Sequence, residues 1–310
     1  MTFALKLLVS ALLLYLLFSS LDVDNLLSTS AKIPWYLFVL ATLSYFVATF
    51  FATARWNTLL TSVGVRIPFT RLFLYNFSYT FYSLALPGGK MAAEGMRLYQ
   101  VISDSKDPNM KPKLVAPSLI DRAFGAFVSL LLSIFYFFFV AAGDTGTFPP
   151  WLPYAGLASV ALLIASIMFP FERFFGMGST EGSSISGSVF LSLRSFRSKP
   201  AALVQSVLFS VLVNAGCTFG VFFIALGVGL HVNYFMLYLI YSVGMASSFL
   251  PISVGGIGAR EGIIAYLLSV SLGVPLEIGA AVSISALAAS MVPIVIAIPI
   301  EIRRHFFRKT

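Results

Sequence analysis

Residues 249–262 read Phe249-Leu250-Pro251-Ile252-Ser253-Val254-Gly255-Gly256-Ile257-Gly258-Ala259-Arg260-Glu261-Gly262, and they interrupt an otherwise apolar stretch of chain. Proline ends helical hydrogen bonding where it sits, and glycines let a chain reverse without a Cβ penalty. An earlier stretch has the same grammar: Leu86-Pro87-Gly88-Gly89-Lys90 leads to Glu94-Gly95-Met96-Arg97. Each is Leu-Pro, then a double glycine, then a helix whose first turns carry an acid and a base. Each follows an apolar run of about 17 residues, short for a comfortable crossing of a bilayer core about 30 Å thick.

Composition sets the surroundings of these two breaks. Of 310 residues, 58% are hydrophobic, 15% aromatic and only 10% charged, and the mean hydropathy is +0.92. A soluble domain is about 25% charged, so this chain cannot cover a water-facing surface. A soluble enzyme, a nucleic-acid module and a disordered chain are excluded. The apolar residues come in helix-length runs rather than alternating strand-length ones, which predicts an all-α polytopic membrane bundle.

The expected full crossings are 3–20, 35–54, 118–142, 151–169, 201–229 and 276–300. The first run, with Lys6 before it and Ser19-Ser20 after it, imitates a signal peptide; with so many spans following, a retained helix is the reading adopted. The net charge of +8 falls mainly in loops. Asp22 and Asp24 flank the first loop, whereas Arg66, Arg71, Lys106, Lys111 and Lys113 flank the break at Pro87 on both sides. Arg173, Arg194, Arg197 and Lys199 fill a long loop over 171–200, and the tail carries Arg303, Arg304, Arg308 and Lys309. Basic loops face the cytoplasm, so both termini are expected there, in the inner membrane. Segments 69–86 and 90–102 then begin and end on the same side, and so do 234–250 and 259–271. Re-entrant hairpins entering from opposite faces satisfy this; ordinary loops between full spans, giving ten crossings, are the alternative. The preferred fold is six spans plus two re-entrant broken-helix pairs in an inverted repeat, half-repeats 35–142 and 201–300, within a single domain over 1–310. Within the long loop, Val189, Leu193 and Phe196 opposite Arg194 and Arg197 suggest a short interfacial helix. In 201–229 tilt, or a bend near Gly216 and Gly220, is expected to absorb excess length.

Corresponding breaks in two inverted halves point to a binding site near the bilayer midplane. The second arm of each hairpin presents a helix N-terminus whose N–H groups suit a phosphate. The candidate substrate-binding residues are therefore Gly88, Gly89, Lys90, Glu94 and Arg97 in the first half. In the second they are Ser253, Gly255, Gly256, Gly258, Arg260 and Glu261. Lys90, Glu94 and Arg97 share one helix face, as a cavity-lining stripe or as a self-neutralising ladder. Arg260 and Glu261 are adjacent, about 100° apart on a helix, and are expected to face different partners. Asp121-Arg122 reads equally as anchor or ligand contact, and Asn76 and Asn214 as interhelical hydrogen-bonding residues. Cys217 and the Phe-rich run 135–139 read as packing or lipid contact. Gly88-Gly89-Lys90 lacks the spacing of a phosphate-binding loop, Gly256-Ile257-Gly258 follows no βαβ unit, and Ser253 has no histidine partner. One cysteine and two distant histidines offer no metal site, and no cofactor is expected.

The stretch 249–262 resembles the signature of the lysylphosphatidylglycerol synthase transmembrane-region family. This flippase-like family includes the flippase domain of MprF proteins and the membrane region of AglD-type proteins. Leu86-Pro87-Gly88-Gly89 with Glu94 and Arg97, and Asp121-Arg122, resemble its weaker first-half elements; relatives have a longer Pro-to-Gly spacing and an acid close after the glycine, where this chain places Lys90 nearer the glycines than Glu94. The resemblance covers nearly the whole chain. It implies translocation of a polar-headed membrane lipid: an anionic or aminoacylated phospholipid, or a polyprenyl-phosphate-linked glycan. Only Thr310 follows Lys309, so no fused aminoacyl-transfer domain is expected, nor synthase activity. No catalytic constellation is identifiable among Glu94, Asp121 and Glu261. A lipid-headgroup transferase subunit, and a scaffold serving a separate synthase or glycosyltransferase, stand as alternatives to a transporter.

Overall fold

The structure, a computed structural model, describes residues 23–86, 90–105, 110–140, 196, 199–247 and 258–307. The expected spans 3–20 and 151–169 lie outside the described residues, as do most of the 171–200 loop and both hairpin tips. The described elements are helices: α1 (Val23–Ala31), α2 (Trp35–Ser62), α3 (Phe69–Ala85), α4 (Lys90–Ser105), α5 (Met110–Val140), α6 (Pro200–Gly227), α7 (Tyr234–Ser247), α8 (Ala259–Leu272) and α9 (Leu276–Phe307). By length and composition, Trp35–Ser62, Pro200–Gly227 and Leu276–Val295 suffice to cross a membrane. Side chains such as Val39, Leu43, Val47, Val204 and Leu208 point outward at helical spacing. Water would penalise that stripe; hydrocarbon does not.

Helices α3, α4, α7 and α8 have 17, 16, 14 and 14 residues. At 1.5 Å per residue none exceeds about 26 Å. Asp104, near the end of α4, accepts a hydrogen bond from Tyr75 of α3 and pairs with Arg71 at 3.9 Å. The chain thus returns to the end it left. At the second break, Arg260 at the start of α8 lies against Met245 near the end of α7.

The centre of the bundle is the seam between α2 and α6, which run antiparallel. A Cβ at Gly220 would lie 2.7 Å from the Tyr45 ring, one at Gly216 3.1 Å from the Ala48 Cβ, and one at Gly227 2.8 Å from the Ile33 side chain. Further along, Arg55 donates to Ser210, and Lys199 donates to the Ser62 carbonyl. Gly216 and Gly220 form a small-xxx-small face that admits the facing helix.

Around this seam the halves correspond. The pairings α2–α3, α3–α4, α4–α5, α2–α5, α5–α6 and α5–α7 recur as α6–α7, α7–α8, α8–α9, α6–α9, α9–α2 and α9–α3. Exchanging α2–α5 with α6–α9 therefore maps these packed pairs onto themselves, with the α2–α6 seam its own mate. The antiparallel seam makes that exchange an inversion.

Several boundaries differ from expectation. The expected loop 21–34 contains α1, whose Leu26 packs with Ala265 and Ala280 of α8 and α9. The basic loop 104–113 is shorter than expected, because α5 already begins at Met110 and runs through Pro117. The span expected to stop at Ala54 continues to Ser62, so Arg55 lies inside the bundle and not at a water-facing edge.

Candidate functional site

Arg55 is buried with Trp56 on one turn of α2, and burial of a guanidinium demands a partner. Its Nε donates to Asp121 Oδ1 at 2.6 Å and its Nη1 to Ser210 Oγ at 2.9 Å. The other Asp121 oxygen accepts from Arg97 Nη2 at 3.2 Å. Arg97 also holds Glu94 at 2.7 Å and donates to Asn76 Oδ1 at 2.9 Å, while Asn76 donates to Thr53 at 2.7 Å. Arg122 closes the group, 3.3 Å from Glu94 and 3.4 Å from the Tyr79 hydroxyl. The Arg97 guanidinium lies 4.0 Å from the Trp56 ring centroid, a desolvated cation–π contact worth about 2 kcal/mol. Three guanidiniums and two carboxylates from α2, α4 and α5 are thus cross-linked, and hydroxyl or amide groups of α3 and α6 join them. Each carboxylate oxygen has a guanidinium partner, so this group is built to hold helices together.

The second charged group is different. Helix α8 begins at Gly258, whose φ of +89° suits only glycine among ordinary residues. Glu261, buried to 1% exposure, turns back so that its Oε2 accepts the Gly258 N–H at 2.8 Å. This fills the helix N-terminus with an internal carboxylate, as the acid of a capping box does. Its Oε1 takes Arg260 Nε at 2.8 Å and Nη2 at 2.6 Å. The two neighbours were expected to face different partners; they face each other, because the long arginine side chain folds back along the first turn.

Arg260 opens onto a cavity of about 230 Å³ between the two halves. Tyr45, Thr49 and Ala52 of α2 and Thr80 of α3 line it from one half. Cys217, Tyr241, Ile264, Ser283, Ser290 and Pro293 are among the residues lining it from the other. Among the described residues, Arg260 Nη1 meets only the Met245 thioether, at 4.0 Å, a weak acceptor. Beyond Glu261 and Met245, no hydrogen-bond acceptor among the described residues meets its guanidinium.

A family model for the lysylphosphatidylglycerol synthase TM region matches residues 3–298. The chain belongs to that family. No curated protein matches it. The match takes in both breaks, the charged cluster and the Arg260 cavity, so all of the geometry above lies in the family's membrane region.

The sequence candidates fall into three groups. Glu94 and Arg97 join the cross-linked cluster, while Arg260 lines the cavity and is held by Glu261, which also caps Gly258; among the described residues the two sets share no hydrogen-bond partner. Gly88, Gly89, Ser253, Gly255 and Gly256 lie outside the described residues. Lys90 opens α4, and its side chain is likewise outside what is described. Sequence reasoning missed Arg55, which sits one residue beyond an apolar run and reads as a cytoplasmic flank. It also missed the cavity hydroxyls; Thr49 and Thr53 at i, i+4 on an apolar helix were a legible signal for a polar inner face.

Proposed function

We propose that this protein carries a polar-headed, phosphate-bearing lipid between membrane leaflets, by alternating access around the Arg260 cavity. The observation that supports this most is the Arg260 guanidinium lining a cavity walled by both halves of the bundle. Phosphate is the anion that a guanidinium fork binds best, and a cavity of this size takes a headgroup while acyl chains remain in the bilayer. The corresponding helix pairings of the two halves supply the mechanics: rocking one half against the other about the α2–α6 seam would expose the site to each leaflet in turn. The basic end of the bundle, with Arg66, Arg71, Lys113 and Lys199, faces the cytoplasm in this reading and gathers anionic lipid there.

The test is headgroup translocation by the purified protein in phosphatidylglycerol-containing vesicles. Arg260→Ala is expected to abolish transport and Arg260→Lys to retain part of it, because a point charge replaces a fork. An unchanged rate in Arg260→Ala removes the site assignment. Chemical conversion of the lipid during the assay would favour a transferase instead.

A further inference from the structure

Side-chain hydrogen bonds and ion pairs sort the helices of the bundle into two bodies. Helices α2 to α7 form one continuous polar net. The Arg55–Asp121–Arg97 cluster ties α2, α4 and α5. Asn76 of α3 donates to Thr53 of α2, and Ser129 of α5 donates to Asn214 of α6 at 2.6 Å. Arg55 and Lys199 fasten α2 to α6. Helix α7 is fastened to α6 in turn: the Tyr234 hydroxyl donates to the Ala215 carbonyl at 3.0 Å, and Tyr241 is hydrogen-bonded to Cys217.

That net stops at α8. Among the described residues, no side-chain hydrogen bond or ion pair joins α8, or residues 276–292 of α9, to α2–α7, apart from the weak Arg260–Met245 contact at 4.0 Å. The two helices hold each other instead. Ser269 Oγ donates to the Val274 carbonyl at 2.7 Å in the tight turn between them, and a Cβ on Gly279 would collide with the Ala265 carbonyl oxygen. Helix α1 packs on both through Leu26. Inside a bilayer this difference decides where the bundle can part. Separating buried charges and hydrogen bonds is costly there, whereas apolar faces that separate lose packing alone, because lipid chains are as apolar as the face they replace.

Both ends of this helix pair carry backbone breaks, and both lie at the cavity. Gly258 opens α8 with φ +89°, two residues before Arg260. Pro293, which lines the cavity, interrupts α9: it has no N–H to donate to the Ala289 carbonyl, and helices bend at such residues. The lining divides along the same line, with Tyr45, Thr49, Thr80 and Cys217 on the polar net and Arg260 and Ser283 on the pair. We infer that α8 and residues 276–292 of α9 form one flap, hinged at Gly258 and Pro293, which opens and closes the Arg260 cavity against a fixed frame of α2–α7. The flap narrows the proposed rocking of a whole half to two helices. Its part in transport rests on that reading; the motion itself does not.

Cys217, the single cysteine of the chain, reports the opening. It lines the cavity, and a fluorescein maleimide, bulkier than the cavity of about 230 Å³, reaches it only when the flap is open. The first arm measures its labelling rate in phosphatidylglycerol nanodiscs. Pro293→Ala, which restores the missing hydrogen bond of α9, should slow labelling by about fivefold, the scale of one backbone hydrogen bond. Pro293→Gly, which keeps a pliant backbone, should fall between. A disulfide across the α2–α6 seam, from Ile33→Cys with Gly227→Cys, should leave the rate unchanged; the Ile33 Cβ stands 3.4 Å from where a Cβ on Gly227 would be, within reach of a bridge. The second arm uses the Cys217→Ser chain in phosphatidylglycerol vesicles and joins α7 to α8 by Gly244→Cys with Ile264→Cys, two positions in contact. Oxidation should stop lipid movement and reduction restore it. A motion of the whole half would carry α7 and α8 together, so lipid movement that survives this cross-link overturns the flap. So does a Cys217 that never labels, a rate unchanged in Pro293→Ala, or a rate that falls with the seam disulfide. Labelling in the expected order without any lipid movement sinks the transport reading and leaves the flap standing.

Discussion

Arg55 of α2 and Asp121 of α5, 66 positions apart in sequence, meet at 2.6 Å with both side chains almost wholly buried. Neither charge is tolerable there alone. Asp121 also receives Arg97, so one carboxylate fastens the first hairpin and the central seam to the same point.

Removing that carboxylate leaves two guanidiniums facing each other. Asp121→Asn is expected to destabilise the detergent-purified protein by about 3–5 kcal/mol, the usual cost of breaking a buried pair. Arg55→Met should cost less, because Arg97 still neutralises Asp121. Thermal unfolding of the two variants checks the order, and equal effects would contradict the shared role of Asp121.

The α2–α6 seam makes a steric prediction. Gly220 faces the Tyr45 ring, 2.7 Å from where a Cβ would stand. Gly220→Ala should therefore lower stability by about 1–3 kcal/mol through overpacking. Tyr45→Leu should relieve much of that loss in the double variant, a coupling that a thermodynamic cycle would read directly. Gly95, with no atom within 4 Å of its would-be Cβ, is the control: Gly95→Ala should be neutral or slightly stabilising.

How much of this was legible beforehand depends on the range of the interaction. The breaks at Pro87 and Pro251 and the shortness of the segments before them are local, and the helices α3, α4, α7 and α8 appear where those signals put them. The α1 helix was missed because it has only nine residues, with polar groups on most of its surface; what stabilises it is Leu26 docking on α8 and α9, which no local pattern announces. Arg55 was misread for the same reason. A cation at the end of an apolar run looks like a membrane flank until its partner 66 residues away is known. Glu261 was the nearer miss. Gly258-x-x-Glu261 before an apolar run is the spacing of an N-terminal cap, and it foretells a carboxylate turned inward rather than a free ligand.

That cap gives a third prediction. Glu261→Ala removes the acceptor of the Gly258 N–H and the counter-charge of Arg260 together. It should cost more than the roughly 1 kcal/mol of an ordinary cap, whereas Glu261→Gln, which keeps one acceptor oxygen, should fall between. Hydrogen exchange at the first turn of α8 separates this from a global loss: local protection should fall before that of α2 or α6.

The arrangement of ends makes the sidedness of the protein testable. Arg71 pairs with Asp104 and Lys199 with Ser62, so the start of α3, the end of α4, the end of α2 and the start of α6 share one end. Asp24 of α1 and Glu277 of α9 lie at the other, where Leu26 and Leu276 pack in one cluster. With basic groups at the first end and acidic groups at the second, the first should face the cytoplasm. Cys217 is replaced by serine, and single cysteines are placed at Arg66, Lys113 and Asp24. In intact cells an impermeant maleimide should label position 24 alone; in inverted vesicles it should label 66 and 113. Labelling of 66 from outside would invert the orientation, and labelling of 66 and 113 from opposite sides would mean that the α3–α4 pair does not return to the face it left.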